Sequence, residues 1–179
     1  MTPLATDALA IWRSAVAAVM PRPLVAEAVK AMDLSGRVIV VGAGKAGAEM
    51  AAGVEEGFLH TSPRWGEVKS GLSGLVNVPE GCTAPLRHIR LHPARPAGSN
   101  FPTPAGVAGA EEMLRLLSSA GPDDTAICLI SGGGSALLPC PADGVSLDSK
   151  LAVTKLLTGC GTTIREMNCV RKHLSRVKG

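Results

Sequence analysis

Apolar positions along the chain keep two rhythms, one of three to four residues and one of unbroken β-branched runs. Leu9, Trp12, Val16 and Val19 recur at helical spacing, which predicts a helix over 7–20. The PRP at 21–23 stops it, and PLVAEAVKAMDL opens a second helix with Pro23 near its first turn. After a Ser35-Gly36 turn, RVIVV at 37–41 reads as a central parallel strand. GAGKAGAEMAAGVEEGFLH then reads as a glycine turn running into an alanine-rich helix, and 61–67 as a connection. GLSGLVNV at 71–78 and LRHIRLH at 86–92 are strand candidates, followed by a four-proline loop over 93–106. A helix ending near Gly121 precedes DDTAICLI at 123–130, a second central strand. Ser146 is the expected N-cap of a helix ending around Gly159–Gly161, with Asp148 favourable to its dipole, and a last helix covers 162–176. Strands alternating with helices predict an α/β class: a Rossmann-like, three-layer domain with a mostly parallel sheet.

Composition narrows the function classes. Of 179 residues, 46% are apolar and 18% charged, so the chain can build a core. There is no tyrosine and only two each of tryptophan and phenylalanine, which argues against a stacking platform for nucleic acid. A net charge of +3 is too mild to imply a nucleic-acid partner. Cys82, Cys128, Cys140, Cys160 and Cys169 form no CxxC pair and read as reduced, mostly buried thiols of a cytoplasmic protein. His60, His88, His92 and His173 are not spaced with them as zinc ligands. No apolar run reads as long enough for a bilayer, and no signal peptide is evident, so no membrane partner is expected.

The chemistry is carried by two glycine loops, each after a strand: VGAGKAG at 41–47 and ISGGGSALLP at 130–139. Parallel α/β sheets bind ligands outside the carboxyl ends of their strands. Glycine lets backbone come close to a ligand, and consecutive N–H groups favour an anion, so both loops are candidates for a polyphosphate. GAGKAG also fits the dinucleotide fingerprint GxGxxG, which expects an acid about 20 residues on; Glu67 is near that spacing but precedes its strand. Lys45 inside the turn is a point cation suited to a phosphate being transferred. The competing reading is that Gly42, Gly44 and Gly47 serve only close helix–strand packing.

VGAGKAG, LISGGGSALLPCPADGVSLDSK (129–150) and TTIREMNCVRKHLSRVKG (162–179) together resemble the class II glycerate kinases, in the same order over nearly the whole chain. The resemblance implies that residues 1–179 are an N-terminal Rossmann-like domain without the C-terminal MOFRL-type domain, and that a further catalytic arginine lies in the missing part. It implies ATP-dependent phosphorylation of D-glycerate with Mg²⁺, 2-phosphoglycerate being the favoured product. An NAD(P)H-dependent hydroxypyruvate reductase is the alternative. The family match puts Lys45 in catalysis, facing the phosphoryl group or the glycerate carboxylate. It gives Gly42, Gly44, Ser131, Gly132, Gly133, Gly134 and Ser135 to the nucleotide, and Arg171, Lys172 and Ser175 to substrate. His173 is the candidate general base. No metal ligand set is legible; Asp143 is the one candidate. Many members carry AGHPxPDE where this chain has AGSNFPTP, so Ser99, Asn100 or Thr103 stands in for the family's histidine and acid. A homo-oligomer is compatible with the resemblance, and the isolated chain is expected to turn over poorly.

Overall fold

The computed structural model describes residues 2–34, 36–60 and 71–178. The 61–67 connection, Ser35 and Glu67 lie outside the described residues. Seven helices and four strands are seen among the rest, in the order α1 (Pro3–Ala18), α2 (Pro21–Lys30), β1 (Val38–Ala43), α3 (Gly47–His60), β2 (Leu72–Pro79), β3 (Ile89–Arg95), α4 (Pro104–Ser118), β4 (Thr125–Ile130), α5 (Gly134–Leu137), α6 (Leu147–Gly159) and α7 (Ile164–His173). All pairings of the four strands are parallel, and the sheet order is β3-β2-β1-β4. Val29, Val54 and Phe58 cover one face of the sheet, packing against Val38, Val40, Val76 and Val78. Met113 of α4 covers the other, against Ile39, Val41 and Leu75. The three-layer α/β expectation is met.

Order reverses at β1, whose neighbours are β2 on one side and β4 on the other. In an open parallel sheet that reversal leaves a crevice at the carboxyl ends. Both glycine loops begin there.

Four expectations change. First, β4 forms an edge of the described sheet, not its centre, and its burial alternates because Cys128 and Ile130 point outward. Second, β3 does not stop before Pro93 but runs through it to Arg95; β3 is the other edge, where a missing N–H leaves no ladder bond broken. Third, Cys140 alone of the five cysteines is buried among the described residues: Cys82 follows β2, Cys128 lies on the edge strand β4, Cys160 caps α6 and Cys169 is on the exposed side of α7. Fourth, Pro3–Lys30 is long and apolar enough to cross a membrane by length and composition, with mean hydropathy 1.2. The stretch is two helices divided at Met20, and α2 seats Ala26 and Val29 in the domain core.

The start of β3 hangs on a single carboxylate. Glu55 of α3, 8% exposed, accepts hydrogen bonds from the backbone N–H groups of Arg87 (3.0 Å), His88 (2.6 Å) and Ile89 (2.9 Å). Truncating it strands three donors at or near the core. Glu55→Ala is expected to cost about 2 kcal/mol or more, read as a lowered urea midpoint with an unchanged slope.

Candidate active site at the switch point

The first glycine loop is filled by the second. A Cβ on Gly42 would lie 2.2 Å from the Leu129 carbonyl oxygen, and one on Gly44 1.9 Å from Ser131 Oγ. Ser131 Oγ accepts the Ala46 N–H at 3.1 Å, and the Lys45 N–H donates to the Gly132 carbonyl at 2.9 Å. The Gly44 N–H is used by the Asn77 carbonyl at 3.1 Å. Gly47 admits Val76 and Val78 against the start of α3. The amides of 44–47 are thus consumed by protein, and the packing reading accounts for Gly42, Gly44 and Gly47.

The second loop is different. Gly132 has open space where a side chain would be, and the N–H groups of Gly132 and Gly133 meet no acceptor among the described residues. Gly133 sits at φ +86°, a left-handed conformation that favours glycine. Its missing Cβ would stand 3.4 Å from both Lys45 Cε and Arg95 Nη2, so two cationic side chains converge on this bare backbone.

More cations gather around Ser135. Arg171 Nη2 donates to Ser135 Oγ at 2.5 Å, and Lys178 Nζ donates to the Ser135 carbonyl at 2.7 Å and to its Oγ at 3.1 Å. Lys150, only 5% exposed, donates to the Leu174 carbonyl at 3.0 Å. Burial, with help from Lys150 and Arg171, depresses the Lys178 ammonium from 10.5 to about 8. Burial and then Arg171 lower Lys150 as well. None of Lys45, Arg95, Lys150, Arg171 or Lys178 has a carboxylate partner among the described residues.

Two cavities open on this cluster. One, of about 510 Å³, has apolar walls from Phe101, Pro102, Pro139 and Leu151, with Lys150 and Arg171 at its polar end. The other, of about 310 Å³, is lined by Lys45, Arg95, Gly98 and Cys82. Asn100 lines both. Of the three residues at the departing AGSNFPTP stretch, Asn100 alone reaches the cavities. Thr103 caps α4 by accepting the Gly106 N–H at 3.1 Å and donates to the Ala94 carbonyl, while Ser99 accepts the Phe101 N–H at 3.2 Å.

The RKHLS segment divides similarly. Arg171 reaches the loop. Lys172 is exposed, Ser175 makes a bridge with Pro141, and the His173 ring bonds its own helix at the Cys169 carbonyl, 2.8 Å away. His173 lines neither cavity. Asp143 pairs with Arg176 at 3.7 Å and is almost wholly solvent-exposed. Lys150, Arg95 and Asn77 were not singled out in the sequence, and Lys178 stood there only as one of the basic residues of the TTIREMNCVRKHLSRVKG stretch. Asn77, fully buried, donates to the Gly106 and Leu137 carbonyls at 3.1 and 2.7 Å and so ties α4 and α5 to β2.

Residues 7–179 match the family model described as a domain of unknown function, DUF4147. The chain belongs to the DUF4147 family. Among its relatives, a glycerate 2-kinase from Pyrococcus horikoshii is 35% identical over 150 residues, which is 84% of this chain and 31% of that protein. One from Agrobacterium vitis, which carries the provisional name hydroxypyruvate reductase, is 42% identical over 144 residues, 80% of this chain and 30% of that protein. A solved glycerate kinase from Thermotoga maritima superposes with a TM-score of 0.79 at 31% identity, covering 99% of this chain and 40% of that one. This DUF4147 chain spans about a third of the length of the curated relatives it matches.

Cations without carboxylate partners attract anions, and the pH dependence expected of that attraction has a definite sign. A bound anion favours the charged Lys178, so binding is strongest while Lys178 is protonated and declines as pH rises above about 8. Sulfate, whose charge is constant over pH 7–10, is expected to lose affinity across that interval in a calorimetric titration. Lys178→Met is expected to bind sulfate more weakly, with that decline flattened.

Proposed function

We propose that this chain supplies the phosphate-binding half of an ATP-dependent kinase that phosphorylates D-glycerate, with 2-phosphoglycerate the favoured product. The observation that carries the proposal is the bare Gly132–Gly133 backbone at the switch point, with Lys45 and Arg95 against Gly133 and with Arg171 and Lys178 on the neighbouring Ser135, none of the four paired with a carboxylate among the described residues. Phosphoryl transfer asks a protein mainly to hold its reactants in line and to neutralise spreading charge. The glycerate kinase names of the Pyrococcus and Thermotoga relatives support the reading.

In this reading the larger cavity, apolar on its walls and cationic at one end, holds the nucleoside part of ATP. The Gly132 and Gly133 N–H groups, Arg171 and Lys178 hold its phosphates. ATP supplies the transferable phosphoryl group. Lys45, exposed and placed over Gly133, meets that group between the two cavities. Mg²⁺ held mainly by the phosphates needs only one or two protein oxygens, which the absence of a three-ligand cluster among the described residues leaves open; Asp143 lies exposed beside Arg176. Free thiols at all five cysteines suit a cytoplasmic setting.

One observation favours the rival oxidoreductase. Glu80 stands directly after β2, where a dinucleotide site keeps the acid for its ribose. Against it, the space that a pyrophosphate needs at Gly44 is taken by Ser131. Calorimetry separates the two. Mg·ATP is expected to bind, and Lys45→Ala is expected to weaken it by about tenfold, the ordinary worth of a hydrogen bond to a charged group. Binding of NADH without Mg·ATP would contradict the kinase reading.

A further inference from the structure

We infer that Arg95 is the carboxylate anchor of the acceptor substrate, holding a small hydroxy acid in the cavity beside Lys45. The inference rests on the kinase reading above. Its grounds are the position, burial and unsatisfied valence of one guanidinium.

Arg95 is the last residue of β3. Along β2 and β3 the register runs Val78 to Pro93 and then Pro79 to Arg95, so Ala94 is skipped. Skipping one residue turns the strand, and a bulge of this kind re-aims the side chain that follows it. Ala94 and Arg95 are consecutive, yet both are buried, which a regular strand with one covered face does not allow. The bulge thus folds a charged residue inward instead of releasing it to solvent. Glu80 N–H closes on the Arg95 carbonyl at 2.9 Å and fixes the turn.

The guanidinium so placed is 2% exposed. Its Nη1 donates to the Pro96 carbonyl at 3.3 Å, its Nε has no partner, and no carboxylate pairs with it among the described residues. An arginine so deeply buried is ordinarily paired, because the desolvated charge is otherwise costly. Here Nη2 faces Gly133 and the side chain lines the cavity of about 310 Å³ that Lys45 also lines. The Nε and Nη2 edge, whose Nε is buried and unpartnered in the free chain, is the fork that donates two parallel hydrogen bonds to a carboxylate once the side chain turns that edge into the cavity.

Position decides between a carboxylate and a phosphate. Arg171, Lys150 and Ser135 already line the larger cavity, where a polyphosphate fits, and Lys178 stands behind Ser135. Arg95 lines only the smaller one, which lacks the large apolar walls that a nucleoside needs. With the carboxylate on Arg95, an acceptor hydroxyl two or three bonds away extends toward Lys45 and the boundary at Asn100.

The test uses the 179-residue chain with Arg95→Met and Arg95→Lys, probed with D-glycerate, glycerol, sulfate and Mg·ATP. D-glycerate is expected to bind the parent and to shift a slowly exchanging Arg Nε–H resonance that is missing from both variants. Glycerol, without a carboxylate, is expected to leave that resonance in place. Arg95→Met is expected to lose D-glycerate affinity by about tenfold or more, with Arg95→Lys intermediate and Mg·ATP affinity unchanged in both. Without ligand, Arg95→Met is expected to melt higher than the parent, since an unpaired buried charge is gone, yet to gain nothing from D-glycerate. That combination separates a binding role from a structural one.

A parent chain that ignores D-glycerate overturns the assignment, as does Arg95→Met that keeps parental D-glycerate affinity. Loss of sulfate or Mg·ATP affinity in Arg95→Met, with D-glycerate unaffected, makes Arg95 a phosphate ligand and also overturns it. Failure of the parent to bind Mg·ATP counts against the kinase reading, whatever D-glycerate does.

Discussion

Everything at the carboxyl end of the sheet depends on two missing side chains. β1 and β4 can run side by side, and their loops can interlock, because Gly42 and Gly44 have no Cβ to strike Leu129 and Ser131. Any larger residue would push the loops apart. Close contact lets Ser131 Oγ accept the Ala46 N–H and the Gly132 carbonyl accept the Lys45 N–H, while the Ser131 N–H donates back to the Ala43 carbonyl, so the two loops are cross-bonded in both directions. Lys45 is therefore held by its backbone while its side chain extends over Gly133. The glycines of the first loop act through packing, by letting the second loop present its bare backbone.

The second organising feature is electrostatic. The ion pairs among the described residues lie away from the crevice: Arg22 with Glu56, Lys30 with Glu27, Arg37 with Asp124, Arg90 with Glu112 and Arg176 with Asp143. Lys45, Arg95, Lys150, Arg171 and Lys178 are left unneutralised at the crevice. Two of these, Lys150 and Arg95, are buried, and burial pulls the Lys150 and Lys178 ammonium groups below their usual range. Unpaired charges held together cost stability in the free chain, and an anion that binds them returns it.

The sequence was most legible where periodicity and capping agree. The β-branched RVIVV run became the buried β1, and Ser146 caps α6 by accepting the Ser149 N–H at 3.0 Å. The last helix was foreseen, with boundaries moved inward to the capping box of Thr163 and Glu166. Sheet position was harder to read. DDTAICLI looks central because six of its eight residues are apolar or β-branched, yet Cys128 and Ile130 face outward on an edge strand. The glycine loops and Arg171 were visible as motifs. Lys178 was visible only inside the TTIREMNCVRKHLSRVKG stretch, since nothing in local spacing says that it returns to Ser135 across 43 positions. Arg95 was hidden by the two prolines around it, which made its stretch read as loop, and by a bulge that exists only once β3 pairs with β2.

The central claim is that the crevice between β1 and β4 receives a phosphoryl group between Lys45 and the Gly132–Gly133 backbone. A crystal structure of this chain with a non-hydrolysable ATP analogue tests it most directly. The account predicts the terminal phosphate beside Lys45 and the free amides of Gly132 and Gly133, with the base in the cavity walled by Phe101 and Leu151. Phosphates bound away from that backbone, with Lys45 and Arg171 untouched, would contradict it.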